Sequence, residues 1–219
     1  MAVIAPTLSL ERRLLREHPL IIACDEVGRG ALAGPVAVGA VAADAALSRR
    51  SVPQGLRDSK LIIEPRRAGI AERARAWVPA HAVGWASAAE IDQIGIMRAL
   101  GLAAVRAIED LRTQGIDISD ALVVLDGNHD YITPVAPVGR GVLPIIKADR
   151  DCASASAASV IAKVARDDHM TTLDTEAPVY GWVRNKGYAS AEHRGAIEQH
   201  GLSGHHRSSW AIAAAPTLF

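Results

Sequence analysis

Three five-residue apolar runs, Leu20–Cys24, Ala121–Leu125 and Val142–Ile146, each lead into acid: Asp25 and Glu26 after the first, Asp126 after the second, Asp149 just after the third. Short β-prone runs bounded by polar or turn residues read as buried strands, and stretches of helical periodicity between strands make an α/β sheet. In open α/β sheets the carboxyl ends of the strands line the ligand crevice. The pattern therefore gathers four carboxylates at one end of a sheet.

The intervening stretches fit this reading. Pro35–Ala43 and His81–Ala86 continue the strand pattern, and Pro65 suits the first turn of a helix running to about Val78. From Ala88 onward, Met97, Leu100, Ala104, Ile108 and Leu111 recur at steps of three and four, which predicts one buried helical face stopped near Gly115. An Ala/Ser-rich helix is expected from about Ser154 to Asp174, with Ile161 and Val164 inward and Lys163 and Arg166 toward solvent. Aromatic residues make up only 4% of the chain, so the core must be built from small and branched aliphatics packed between helices and sheet. The expected architecture is a mixed central sheet flanked by helices over residues 1–175, with a small C-terminal helical appendage over residues 176–219. Within that appendage, Ser190 caps a helix that Gly201 closes.

Charge excludes little, because Lys plus Arg balances Asp plus Glu at 24 each; any basic footprint for nucleic acid must be local. Cys24 and Cys152 lie far apart without CxxC spacing, so they form neither a disulfide framework nor a zinc ribbon and read as small buried hydrophobes. Charges among the leucines of Met1–Arg16 break any secretory h-region, and no run approaches the roughly 20 apolar residues of a membrane span. The cytoplasm is the expected compartment.

Four carboxylates in one crevice repel one another unless some are protonated or hard cations lie between them. Oxygen-only ligands favour Mg²⁺ or Mn²⁺ over zinc. The alternative is that acids end strands merely because loops are polar. Neighbours on a regular strand point to opposite faces, so Asp25 and Glu26 share a site only if the strand ends or bends at them. Gly28 and Gly30 follow and permit such a turn. The same residues, Gly28-x-Gly30-x-x-Ala33, formally fit a dinucleotide fingerprint, but that motif must open a helix. Here Pro35 and a strand pattern follow, and two acids would adjoin an anionic ligand.

At this point the motifs form a series. DEVGRGALAGPV (Asp25–Val36) resembles the opening motif of the bacterial ribonuclease HII (type 2 ribonuclease H) family. Asp58-Ser59-Lys60, Asp126-Gly127-Asn128, Lys147-Ala148-Asp149, AASVIAKVARD (Ala157–Asp167), NKGYASAEH (Asn185–His193) and HHRSSW (His205–Trp210) follow in the family's order. The resemblance spans about residues 20 to 210 and implies an RNase H-like fold. It also implies an endonuclease that cuts RNA in RNA/DNA hybrids and at single ribonucleotides in duplex DNA, leaving 5′-phosphate and 3′-hydroxyl ends.

Carried over residue by residue, it makes Asp25, Glu26, Asp126 and Asp149 the metal-binding carboxylates, Gly28, Arg29 and Gly30 the reader of the ribose 2′-hydroxyl, and Tyr188 the ring that stacks on the adjoining deoxyribose. Lys60, Lys163, Arg166 and Lys186 are candidate phosphate contacts. Ala148 stands where the family usually has glycine, and the long His129–Arg140 loop leaves Asp151 as an alternative to Asp149. The terminal Leu218 and Phe219 faintly resemble a sliding-clamp-binding tail. A nuclease for branched DNA and a non-catalytic nucleic-acid-binding protein are the rival classes; neither needs a 2′-hydroxyl reader.

Overall fold

The computed structural model describes residues 5–210. Its five strands, β1 (Leu20–Val27), β2 (Val36–Ala43), β3 (His81–Ala86), β4 (Ala121–Asp126) and β5 (Val142–Ile145), form one sheet in the order β3-β2-β1-β4-β5. The β1–β2 and β2–β3 pairs are antiparallel; β1–β4 and β4–β5 are parallel. Pro144 fits β5 because that strand is at the edge, where a missing N–H is tolerated.

Eight helices accompany the sheet among the described residues: α1 (Ser9–Leu14), α2 (Glu64–Trp77), α3 (Ala88–Ile94), α4 (Ile96–Thr113), α5 (Ala148–Asp151), α6 (Ala153–Asp174), α7 (Trp182–Asn185) and α8 (Ala191–His200). Strand alternation divides the core. Ile21, Ala23 and Val41 pack with Ile70 and Ala74 of α2 and Ala158 and Ile161 of α6, whereas Ile22, Cys24 and Val38 pack with Leu100, Ala104 and Ile108 of α4. Each fully buried branched side chain contributes about 1.5–3 kcal/mol. The small face of α6 decides how close that helix sits. A Cβ at Gly39 would lie 2.4 Å from the Ala158 carbonyl, so only glycine on β2 admits α6 at this depth. That approach brings Ser159 to Asp25, the β1 partner of Gly39.

A third cluster belongs to the C-terminal segment, where Trp182, Tyr180 and Ile197 pack on Ala33, Met170 and Leu173. The expected α8 is present, with the Ser190 side chain accepting from the His193 N–H and Gly201 at its end. No described helix is long and apolar enough to cross a membrane.

Three expectations need correction. The helix expected from Ala88 is two helices, because Gly95 adopts φ +79°, outside helical space; a capping box between Ser87 and Glu90 starts the first. Strand β1 does not stop at Cys24 but runs through Val27, with Asp25 and Glu26 still paired to β2. Arg166 is not at the surface of α6: it is fully buried, and its guanidinium donates to the carbonyls of Pro35, Ala33 and Lys186. A periodicity argument misses this because it assigns a long cation to solvent, whereas here backbone carbonyls replace water.

Candidate active site

The parallel register of β1 and β4 brings their carboxyl ends level, with Cys24 beside Leu125, so Asp126 follows next to Asp25. Asp25 lies on the α6 face and is almost fully buried. Burial first, opposed by a hydrogen bond from Ser159 and reinforced by Asp126, Glu26 and Asp149, holds its carboxyl well above the usual range. Glu26 points to the other face, where the Tyr131 hydroxyl donates to it at 3.3 Å and the Arg29 guanidinium is 3.6 Å away. Burial, partly offset by Arg29 and reinforced by Asp126, raises its pKa also. β4 ends at Asp126, and Asp126 acts electrostatically on acids of both faces. The Asp25–Glu26 pair therefore meets one site around the end of β4, not through a bend in β1.

Asp149 arrives from α5. Lys147 takes a left-handed conformation (φ +63°) that turns the chain out of β5, and the Asp149 N–H donates to Asp126 Oδ1 at 3.1 Å. Burial and then the neighbouring Asp126 push Asp149 up to about 6. Asp151 is exposed and its carbonyl is tied to Thr7, so of the two candidate acids the structure places Asp149 beside Asp126.

Lys60 supplies the counter-charge: its Nζ is 3.6 Å from Asp149 while its side chain is 73% exposed. Burial works to lower the ammonium's pKa, but the facing Asp25, Asp58, Asp149 and Asp126 outweigh it and raise it. Among the described residues, no three acid, imidazole or thiol groups form a set able to hold a metal ion as they stand. Asp126 nevertheless acts electrostatically on Asp25, Glu26 and Asp149, which sets the four acids around one mouth.

The other basic candidates are differently committed. Lys163, 14% exposed, is paired to Asp167 at 2.6 Å. Lys186, 12% exposed, donates to the Val183 carbonyl at 2.6 Å. Both were expected to meet solvent or phosphate, yet the structure turns them onto neighbouring acceptors.

The Gly28-Arg29-Gly30 turn continues directly from β1. Arg207, fully buried, donates to the carbonyls of Gly28 at 2.6 Å, Arg29 at 2.8 Å and Gly34 at 3.1 Å. Burial, then the neighbouring Arg166, pushes its pKa down to about 9. In a trans peptide the carbonyl and the following N–H point oppositely. With the Gly28 and Arg29 carbonyls drawn inward, the N–H groups of Arg29 and Gly30 face away, and neither donates to a backbone acceptor among the described residues. Beside the turn, the half-exposed Tyr188 ring lies under Arg166 at 5.5 Å and Lys163 at 5.8 Å. His193 Nδ1 is 2.9 Å from the Tyr188 carbonyl and fixes that loop.

Several of these parts were invisible in the sequence. Tyr131 sits in the long loop after β4, with no periodicity to place it. Ser159 looked like one more small residue of an Ala/Ser helix. Arg207 lay inside the HHRSSW motif, and a buried cation facing only carbonyls has no sequence signature. The chain leaves the Gly28–Gly30 turn into an antiparallel strand and not a helix, contrary to what a dinucleotide fingerprint requires.

An α/β sheet whose adjacent parallel strands end in carboxylates, next to a glycine turn with outward amides, has the build of the ribonuclease H class of nucleases. The comparisons with known proteins narrow the class. The Ribonuclease HII family profile matches residues 22–213. Ribonuclease HII of Streptomyces avermitilis is 45% identical over 208 residues, covering 94% of this chain and 84% of that relative. In the PCNA:RNase HII complex from Archaeoglobus fulgidus, one chain is similar with a TM-score of 0.65 at 22% identity, covering 91% of this chain and 98% of that one. Bst-RNase HIII in complex with Mn²⁺ is similar with a TM-score of 0.64 at 24% identity, covering 83% of this chain and 63% of that one. The two structural likenesses speak to the fold. The chain belongs to the ribonuclease HII family and is an RNase H endonuclease.

Proposed function

We propose that the chain hydrolyses the RNA strand of RNA/DNA hybrids and also incises duplex DNA at single embedded ribonucleotides, leaving 5′-phosphate and 3′-hydroxyl ends. The observation that carries this reading is the continuity of β1 with the Gly28–Gly30 turn. Asp25, Glu26 and the outward amides of Arg29 and Gly30 belong to one short segment. The 2′-hydroxyl is the group that distinguishes ribose from deoxyribose, and a pair of free backbone N–H groups can donate to its oxygen. Gly30 is four residue steps along the chain from Glu26, a span of at most about 14 Å. A ribose held at the turn therefore places a nearby phosphodiester over the acids.

The donor set suits hard divalent cations: it is all oxygen, and its carboxyls are raised by burial and mutual repulsion, a cost that a cation between them would remove. Asp25, Glu26, Asp126 and Asp149 would hold two Mg²⁺ or Mn²⁺ ions; the relative solved with Mn²⁺ supports the choice. Such ions, when bound, polarise a phosphoryl oxygen and make water a nucleophile at neutral pH. The protein's own groups do the positioning. Lys60 reaches out beside Asp149 to a phosphate, Tyr188 offers its exposed face to the adjoining deoxyribose, and Tyr131 fixes the Glu26 carboxylate.

Residues 176–219 then act as an appendage that contributes to substrate binding, since Tyr188 and Arg207 come from it. The archaeal relative solved with PCNA supports a clamp-binding role for Leu218 and Phe219, which lie outside the described residues. Genomic duplex as substrate places the work in the cytoplasm. The test uses two duplexes differing by one ribonucleotide. Incision beside the ribonucleotide with the all-DNA duplex left intact is expected; equal cutting of both, or a preference for branched DNA, overturns the reading.

A further inference from the structure

The described residues carry a second basic surface that the site above does not use. Between Arg49 and Arg75 the chain holds eight basic residues against three acidic ones, a net +5 in a protein whose total is zero. Two adjoining clefts run between the loop before Lys60 and helix α2, both lined by Arg57, Arg66 and Ile70, with Arg73 in the second. Arg66 and Arg73 are exposed and Arg57 half-buried. Among the described residues none of the three forms an ion pair with a carboxylate.

Arg67 makes the contrast. Its Nε donates to the Ser59 and Ile62 carbonyls at 3.1 and 3.0 Å, and its Nη1 lies 3.6 Å from Asp167. That arginine locks the turn bearing Lys60 onto α2 and α6, so the clefts begin at a rigid edge of the active site. Lys60 is only three residue steps along the chain from Arg57, a distance of at most about 11 Å, or roughly three base-pair rises at 3.4 Å. The lining of the first cleft also has an apolar part: Leu61 is 48% and Ile63 61% exposed. Guanidinium groups beside exposed aliphatics match a sugar-phosphate strand, whose phosphates are anionic and whose sugar faces are not.

We propose that the Arg57–Arg66–Arg73 clefts bind the phosphodiester backbone of the substrate duplex outside the cut site. The proposal rests on the nuclease reading above and adds a track that extends it away from Lys60. Phosphate contacts carry no sequence information, so the track sets affinity and register and leaves the chemical step alone. It also accounts for duplex binding by a neutral chain, since the charge is concentrated in one segment.

The test measures cleavage of three ribonucleotide-containing duplexes, one just spanning the cut and two extended by about 10 bp, a helical turn, one on each side. Arg66→Ala/Arg73→Ala is expected to raise KM about tenfold on one extended duplex, with kcat unchanged and the short duplex cut as by wild type. Its log Kd against log salt slope should fall by about 1–2, at about 0.9 per lost phosphate contact. Arg66→Lys/Arg73→Lys should recover most of the affinity, because a point charge suffices for a phosphate.

An unchanged slope and KM on every duplex overturns the proposal, and that includes the case where the clefts hold an acidic polypeptide instead. Equal loss on short and long duplexes overturns it as well, since the effect would then lie in the catalytic centre. Wild-type protein that cuts no ribonucleotide-containing duplex sinks the nuclease reading itself and is seen before any variant is made.

Discussion

Gly28 and Gly30 lie two residues apart in one turn, and the structure assigns them opposite reasons for being glycine. At Gly28 the backbone has φ +83° and a Cβ would lie 2.0 Å from the buried Nε of Arg166. Alanine there takes on about 1–2 kcal/mol of left-handed strain and displaces a guanidinium whose carbonyl partners then cost about 1–3 kcal/mol. The sum is on the order of 3 kcal/mol, and at about 2–4 °C per kcal/mol for a chain of this size the thermal midpoint should drop by about 6–12 °C.

At Gly30 the backbone is not left-handed and an added Cβ would meet nothing within 4 Å. Alanine should be harmless to the fold, or stabilise it by about 0.4–1 kcal/mol through the unfolded chain. The fold gives no reason for glycine there; the approach of a ribose does. A methyl group that displaces the ribose by about 1 Å should lower kcat/KM on a single-ribonucleotide duplex roughly 100-fold. Thermal melting and cleavage measured on both variants check the pair of expectations. Gly30→Ala that cuts at the wild-type rate, or Gly28→Ala that melts with the wild type, would refute the reasoning.

Asp126→Asn should lower cleavage by more than about 100-fold, because even partners of metal ligands cost 10–100-fold, while thermal melting shows it at least as stable as wild type, burial having raised the acid it replaces. Arg207→Lys cannot fork to the Gly28, Arg29 and Gly34 carbonyls; each carbonyl left unpaired costs about 1–3 kcal/mol, so the urea midpoint should fall, and an unchanged midpoint would count against the anchoring role. His206 is pushed down to about 4 by burial and then by His193, so the fold favours its neutral ring. Its stabilising contribution is complete above the ordinary 6.5 and is lost as pH falls toward 4. Because the raised acids act in the opposite direction over that range, the readout is the ring itself: its NMR signal should stay neutral at pH 5, and a midpoint at 6.5 would contradict the packing.

How much was legible in the sequence follows from where each signal lives. Strands β2 to β5 and helices α2, α6 and α8 announce themselves because apolar periodicity, Pro65, Ser190 and Gly201 are local facts about the chain. The α3–α4 break escaped because the hydrophobic stripe of α4 can be extended back across Gly95 on paper, and only its positive φ forbids it. The acids could be singled out because strand ends are also local. What joins Asp25 and Glu26 into one place was not local: it depends on β4 stopping at Asp126 while β1 continues to Val27. The surroundings of the cations were the least legible, since four long basic side chains look alike in a sequence. In the fold one is buried on carbonyls, two are turned onto neighbours and one reaches solvent.

That sorting of cations has a physical logic. The end of β1 carries acids whose pKa values are raised by burial, while the turn that follows is pinned by Arg166 and Arg207, whose pKa values are lowered by the same cause. Neither group neutralises the other by direct contact; Arg207 meets carbonyls of the turn, and the acids meet Lys60, Arg29, Ser159 and Tyr131. A direct ion pair between Asp25 and a buried arginine would be the cheaper arrangement for folding, and it would also consume the carboxylate. Holding the two charges apart on either side of Val27 leaves the acids only the exposed side chains of Lys60 and Arg29 as cations, and the turn fixed by donors that approach from behind. The fold thereby carries an electrostatic cost at its sheet end that a substrate phosphate with its cations is suited to relieve.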